Sequence, residues 1–153
     1  MKNSAPIPSA STVYARMSSV TVERRLMGTN YYLATSNKEV KDKYLRNYGL
    51  TDEPSWGYEI HIAKVSAGWM PLFQAHDGAF NSYEELRKLV ATGHFTLYDE
   101  YCRIITWEEF DEKIQSWMKR KNELQTHLTT EYINGLGAFN DSEGYEFSRR
   151  DFC

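Results

Sequence analysis

The sequence predicts an α+β fold: a single, mainly antiparallel sheet of short strands with about three helices packed on it. Three observations carry that reading. Short stretches of alternating or β-forming residues recur between breaks rich in Gly, Pro and Asp. Three Ser- or Thr-led capping signatures each precede apolar residues at helical spacing. Two of the strands, 58–65 and 69–76, follow each other so closely that they must pair as a hairpin.

The elements follow in order. "TNYYLATS" (29–36) is rich in strand formers and predicts the first strand. Ser36 with Glu39 forms an S-x-x-E capping box, and Val40, Tyr44, Leu45 and Tyr48 continue it as a helix that stops at Gly49. "TDEPSWG" (51–57) is a loop. "YEIHIAKV" (58–65) alternates as a strand, and "WMPLFQAH" (69–76) is its return partner. Pro71 lacks a ladder donor, so this return strand is expected at an edge. Ser82 with Glu85 opens a second helix whose apolar face is Tyr83, Leu86, Leu89 and Val90. "HFTLYDEYCRIIT" (94–106) reads as two short strands around Asp99–Cys102. Thr106 with Glu109 opens the longest helix, with Trp107, Phe110, Ile114 and Trp117 on one stripe that Leu124 and Leu128 continue. Its exposed side carries "KRKNE" (119–123), a solvated face or a docking face for a partner. "EGYEFSRRDF" (143–152) is a last short strand or an extended tail.

A chain of 153 residues is long enough to bury one domain's core. The opening stretch, rich in Ser, Pro, Ala and Thr, has no apolar signal-peptide segment and reads as a disordered tail over residues 1–26, with one domain over 27–153. Glu23-Arg24-Arg25 can be encoded by a purine run of ribosome-binding type, which predicts a native start at Met27 and residues 1–26 as an upstream translation artefact. In the gene, Arg24 and Arg25 codons other than AGG or AGA contradict this. Lys and Arg number 18 against 21 Asp and Glu, a net charge of −3, which argues against general nucleic-acid binding. The two cysteines, Cys102 and Cys153, form no CxxC pair, so a disulfide framework is not expected and a reducing cytoplasm fits. No apolar run approaches the roughly 18–20 residues that span a membrane.

The candidate site is the hairpin. With Ala67-Gly68 as a two-residue turn, Ser66 faces Trp69, His61 stands opposite Gln74, and Glu59 opposite His76. Ile60, Ile62, Phe73 and Ala75 then form the apolar face. The polar cluster on the other face has several readings. It is a hydrogen-bonded sheet face, a metal site built on two His and a Glu, a His-carboxylate pair for acid–base catalysis, with His76-Asp77 as a weak echo of a phosphohydrolase HD pair, or part of a ligand site. For a ligand, Tyr31, Tyr32, Trp56, Tyr58 and Trp69 offer stacking surfaces, and His61, Lys64 and Arg103 offer charge for a phosphate. Lys64 also suits the plainer task of guarding an edge strand. Adjacent Asp99 and Glu100 fit a turn better than a paired-carboxylate site. No phosphate loop, dinucleotide fingerprint or nucleophile elbow is present, so no catalytic residue and no cofactor is assigned.

"MGTNYYL" (27–33), "EIHIAKVSAGW" (59–69), "SYEELRKLV" (82–90) and "YDEYCRIITWEEF" (98–110) together resemble a family of small bacteriophage proteins with MGTNYY, HIGK-S-AGW and DEYG-EEF motifs. The resemblance spans roughly residues 27–118, and "DSEGYEFSRRDF" (141–152) resembles the end of longer members. It implies a phage gene and a fold, and no settled reaction. The CxxC pair of many relatives has no counterpart in "YLRNYGLTDEPSWGYE" (44–59), which leaves a structural zinc unsupported. Cys102 stands where the family usually has Gly, which implies a strained backbone if φ there is positive. The expected function is a non-enzymatic phage accessory protein in the host cytoplasm that sequesters a nucleotide-type immune signal. The competing expectation is a protein–protein inhibitor of a host enzyme. A metal-assisted hydrolase is a distant third.

Overall fold

The computed structural model describes residues 28–45, 57–129 and 137–150. The readings of residues 1–26, the loop at 51–56, Tyr48, Gly49 and Cys153 fall outside them. Six short strands form one sheet: β1 (Thr29–Thr35), β2 (Tyr58–Val65), β3 (Leu72–Gln74), β4 (Thr96–Asp99), β5 (Ala138–Asn140) and β6 (Glu146–Ser148). Their order is β4-β1-β2-β3-β6-β5. Only the β3–β6 pair is parallel, so the sheet is mixed but mainly antiparallel. With helices α1 (Lys38–Tyr44), α2 (Tyr83–Ala91) and α3 (Trp107–Met118), the class is α+β as expected.

One row of residues crosses all six strands: Asp99, Tyr31, Ala63, Phe73, Phe147 and Phe139 stand opposite one another in turn. Directly opposed side chains share a face, so this row defines the core side of the sheet. Phe73 stacks on Phe147 at 5.3 Å and meets Tyr83 of α2 and Phe110 of α3 edge-on at 5.4 and 6.5 Å. Leu33, Leu86, Phe110 and Ile114 are fully buried beside it. Each such side chain contributes about 1.5–3 kcal/mol of burial.

The helix starts follow the capping signals with two shifts. Asn37, not Ser36, caps α1: its Oδ1 accepts the Glu39 and Val40 N–H groups at 2.8 and 3.2 Å. The Asn37 N–H donates back to Thr35 Oγ1, the last residue of β1, which moves the start one residue on. Ser82 accepts from Glu85 N, but the Glu85 carboxylate takes the Asn81 N–H instead of closing the box. Thr106 and Glu109 form the full reciprocal box.

Three expectations about the chain path are corrected. The last helix ends at Met118, and Leu124 and Leu128 do not continue it. After a 3-10 turn at Lys121–Glu123, Gln125 pairs with the hairpin tip: its N–H donates to Gly68 O at 2.8 Å and its carbonyl accepts from Met70 N at 2.9 Å. Tertiary pairing here overrides helical spacing. The second strand of 94–106 is reduced to one bridge between Tyr98 and Ile104, because the Asp99 carboxylate accepts the Tyr101 and Arg103 N–H groups and folds a tight loop. In that loop Cys102 has φ +62. Finally, β3 is not an edge. It lies between β2 and β6, and Pro71 precedes its ladder, so the missing donor costs no pairing.

The hairpin register also differs. Phe73 pairs with Ala63 and Leu72 with Lys64, whereas a two-residue turn sets Phe73 opposite Ile62. Trp69 N donates to Ser66 O at 3.1 Å and closes a turn at Ala67-Gly68, but Trp69 and Met70 then pair with Gln125 before the return strand begins. A bulge at Ile62 adds a second shift, since Tyr31 pairs with Ala63 and Tyr32 with His61. Beyond the bulge the alternation inverts, so Ala63 and Val65 are buried on the core side together with Ile60 and Ile62.

Candidate functional site

These shifts remove the direct oppositions expected on the hairpin, His61 to Gln74 and Glu59 to His76. His76 is buried, and its Nε2–H donates to His61 O at 2.7 Å. Gln74 is buried and donates to Ser148 O at 3.2 Å. Both side chains tie strands together. His61 donates from Nε2 to Ala63 O at 3.1 Å and stacks on Tyr32 at 4.9 Å. Glu59 stands opposite Ala34, and partial burial raises its carboxyl pKa. Lys64 lies between Asn30 of β1 and Leu72 of β3, away from any sheet edge. Ser66 and Trp69 form the turn, and the Trp69 ring stacks on His127 at 4.9 Å. Arg103 pairs with Asp99 at 3.3 Å and Glu109 at 3.8 Å, so it serves its own loop. Tyr31 lies on the core side, edge-on to Phe110 at 4.9 Å, across the sheet from Tyr32. Trp56 lies outside the described residues. Among the described residues, no three His, Cys, Asp or Glu side chains come together as metal ligands.

A different concave feature has the chemistry of a ligand site. It is a cleft of about 300 Å3 between the hairpin tip and α3. One wall is Gly28, Tyr31, Val65 and Gly68; the other is Lys113, Ser116, Trp117 and Arg120. Lys113, Ser116 and Trp117, three and four residues apart, share one face of α3, and Arg120 follows two residues beyond its end. The first wall depends on glycine. Gly28 has φ +96, and a Cβ there would lie 2.2 Å from Val65 O. Gly68 takes φ +83 at the turn and faces open space. Burial, reinforced by Asp99, pushes the Tyr31 pKa up to about 12, so this wall stays uncharged at neutral pH.

The charge of the cleft is positive. The Arg120 guanidinium lies 4.8 Å from the Trp117 ring centre, and no carboxylate pairs with it among the described residues. Lys119 and Lys121 flank it in the chain. The sequence places Trp117 on the core stripe, and its ring does pack against the core; "KRKNE" reads as a solvated or docking face, and neither reading marks this wall. The readable signal is K-x-x-S-W-x-x-R over 113–120, two cations and an indole at one-face spacing.

The segment after α3 holds the hairpin tip in place. Beyond the Gln125 pairing, His127 Nε2–H donates to Met70 O at 3.0 Å. The buried Glu146 carboxylate accepts the His127 N–H at 2.7 Å and the Thr126 hydroxyl. Burial lowers the His127 pKa, and the Lys64 charge acts in the same direction.

On the opposite sheet face, Tyr98, Tyr32 and His61 stack in series across β4, β1 and β2, at 5.5 and 4.9 Å. Beside them runs a groove of about 400 Å3 lined by Ala34, Glu59, Thr96, Tyr98, Cys102 and Ile104. Ile104 is 73% exposed and Tyr101 40%. No helix among the described residues is long and apolar enough to cross a membrane. No family model, curated protein or solved structure matches the chain.

Proposed function

We propose that this chain is a phage-encoded accessory protein that acts in the cytoplasm of the bacterial host by binding and sequestering a nucleotide-type immune signal. The cleft between the hairpin tip and α3 supports the binding step: an indole, two cations and glycine backbone line a space of about 300 Å3. Such a site offers a flat wall and a few directed polar groups, which is what a nucleotide requires. The phage origin and the counter-defence role rest on the resemblance of the MGTNYY, HIAK-S-AGW and DEYC-EEF segments to a phage family. The site differs from the one the sequence suggested, since only Tyr31 belongs to both.

The test is a thermal-shift and calorimetric screen of the purified chain against nucleotides, cyclic dinucleotides and ADP-ribose derivatives. The expected result is saturable one-site binding, with the ligand recovered intact after denaturation. Depletion of a ligand by sub-stoichiometric protein contradicts sequestration. No shift with any of them transfers the function to a protein partner. The exposed Ile104 and Tyr101 beside the second groove favour that alternative, a protein that masks a host enzyme.

A further inference from the structure

Resting on the reading of the cleft as a nucleotide site, we infer that it admits a single nucleotide unit and that Arg120 selects for the terminal phosphate by leaving the Trp117 ring. The volume, about 300 Å3, is at the lower end of small-molecule sites. Lys113 lies within α3 and Arg120 two residues beyond its end, seven residues apart and on the order of 10 Å, a distance that one nucleotide spans and a dinucleotide exceeds.

The Arg120 guanidinium lies over the Trp117 ring, 4.8 Å from its centre, within the same cleft lining. A cation–π contact at an exposed position is weak, whereas a guanidinium on a phosphate makes paired, charge-assisted hydrogen bonds. A phosphorylated ligand therefore draws Arg120 off the indole and exposes the ring to its base in one exchange. An unphosphorylated nucleoside must displace Arg120 with nothing offered in return. The helix end itself gives no help, because α3 presents its electronegative C-terminus here. Phosphate recognition must come from side chains, and Arg120 is the cation already on the ring.

The experiment is calorimetric titration of the full chain with the four ribonucleoside 5′-monophosphates, the matching nucleosides and a cyclic dinucleotide, repeated with Arg120→Gln and Arg120→Lys. Arg120 is exposed and follows the helix end, so both variants should fold. At least one monophosphate should bind about tenfold or more tightly than its nucleoside. Arg120→Gln should erase that preference without weakening the nucleoside, and Arg120→Lys should keep part of it. Equal affinity for monophosphate and nucleoside overturns the inference and leaves nucleotide binding in place. So does a cyclic dinucleotide that binds as tightly as any monophosphate and ignores Arg120→Gln. Failure of every probe to bind overturns both the inference and the reading beneath it.

Discussion

At the scale of residues, two backbone positions set local geometry, one just before β1 and one just after β4. Cys102 takes φ +62, where an L side chain crowds the following carbonyl. Cys102→Gly is expected to stabilise the fold by about 0.5–1 kcal/mol, read as a raised urea midpoint at unchanged slope. Gly28 is the converse. Its φ of +96 and the 2.2 Å approach of a would-be Cβ to Val65 O leave no room for alanine. Gly28→Ala should cost on the order of 2–3 kcal/mol and close the wall of the cleft, so ligand affinity should fall with stability. A variant that folds as well as the parent and keeps its binding would contradict this placement. The strain at Cys102 was legible as a resemblance argument, whereas the need at Gly28 was not, because it arises from the end of β2 reached through pairing.

At the scale of elements, the capping signals located all three helices, and only their fine geometry moved. Short-range chemistry of this kind is written within four residues. Thr106→Ala should cost about 1 kcal/mol, since it removes a fully reciprocal box. The hairpin was legible as an element but not in register. Its slip depends on Gln125, some sixty residues away in sequence, and on the bulge at Ile62. The expected oppositions of His61 to Gln74 and Glu59 to His76 are displaced for that reason. The segment that causes the slip carries its own titration. His127 is held neutral by burial, below its ordinary value of about 6.5. Between the folded and unfolded values only the unfolded chain takes up the proton, so stability rises with pH there. The contribution is complete above about pH 6.5 and is lost as pH falls through the folded value. Chemical denaturation between about pH 5 and 8 should show this slope, and His127→Asn should flatten it.

At the scale of the whole molecule, the fold is a one-sided sandwich: helices on the core face, and an aromatic series with a shallow groove on the other. The transverse row from Tyr31 to Phe139 carries the packing, and Phe110 is the side chain of α3 that keys into it. Phe110→Ala should cost about 3–5 kcal/mol and loosen α3 from the sheet. The class was legible because strand and helix periods differ plainly in this chain. The site was not, because it forms between a turn and a helix that are neighbours only in space. Trp117 packs against the core as its spacing predicts, and its half-buried ring also gives the cleft a flat wall.

Titration of the isotope-labelled chain with a bound nucleoside monophosphate, followed by amide chemical shifts, decides between the two faces. The expected result is saturable change at Gly28, Gly68, Ser116, Trp117 and Arg120, with Tyr98 and Ile104 unmoved. Changes confined to Glu59, Tyr98 and Ile104, or no change at any amide, would contradict a nucleotide site at the hairpin tip.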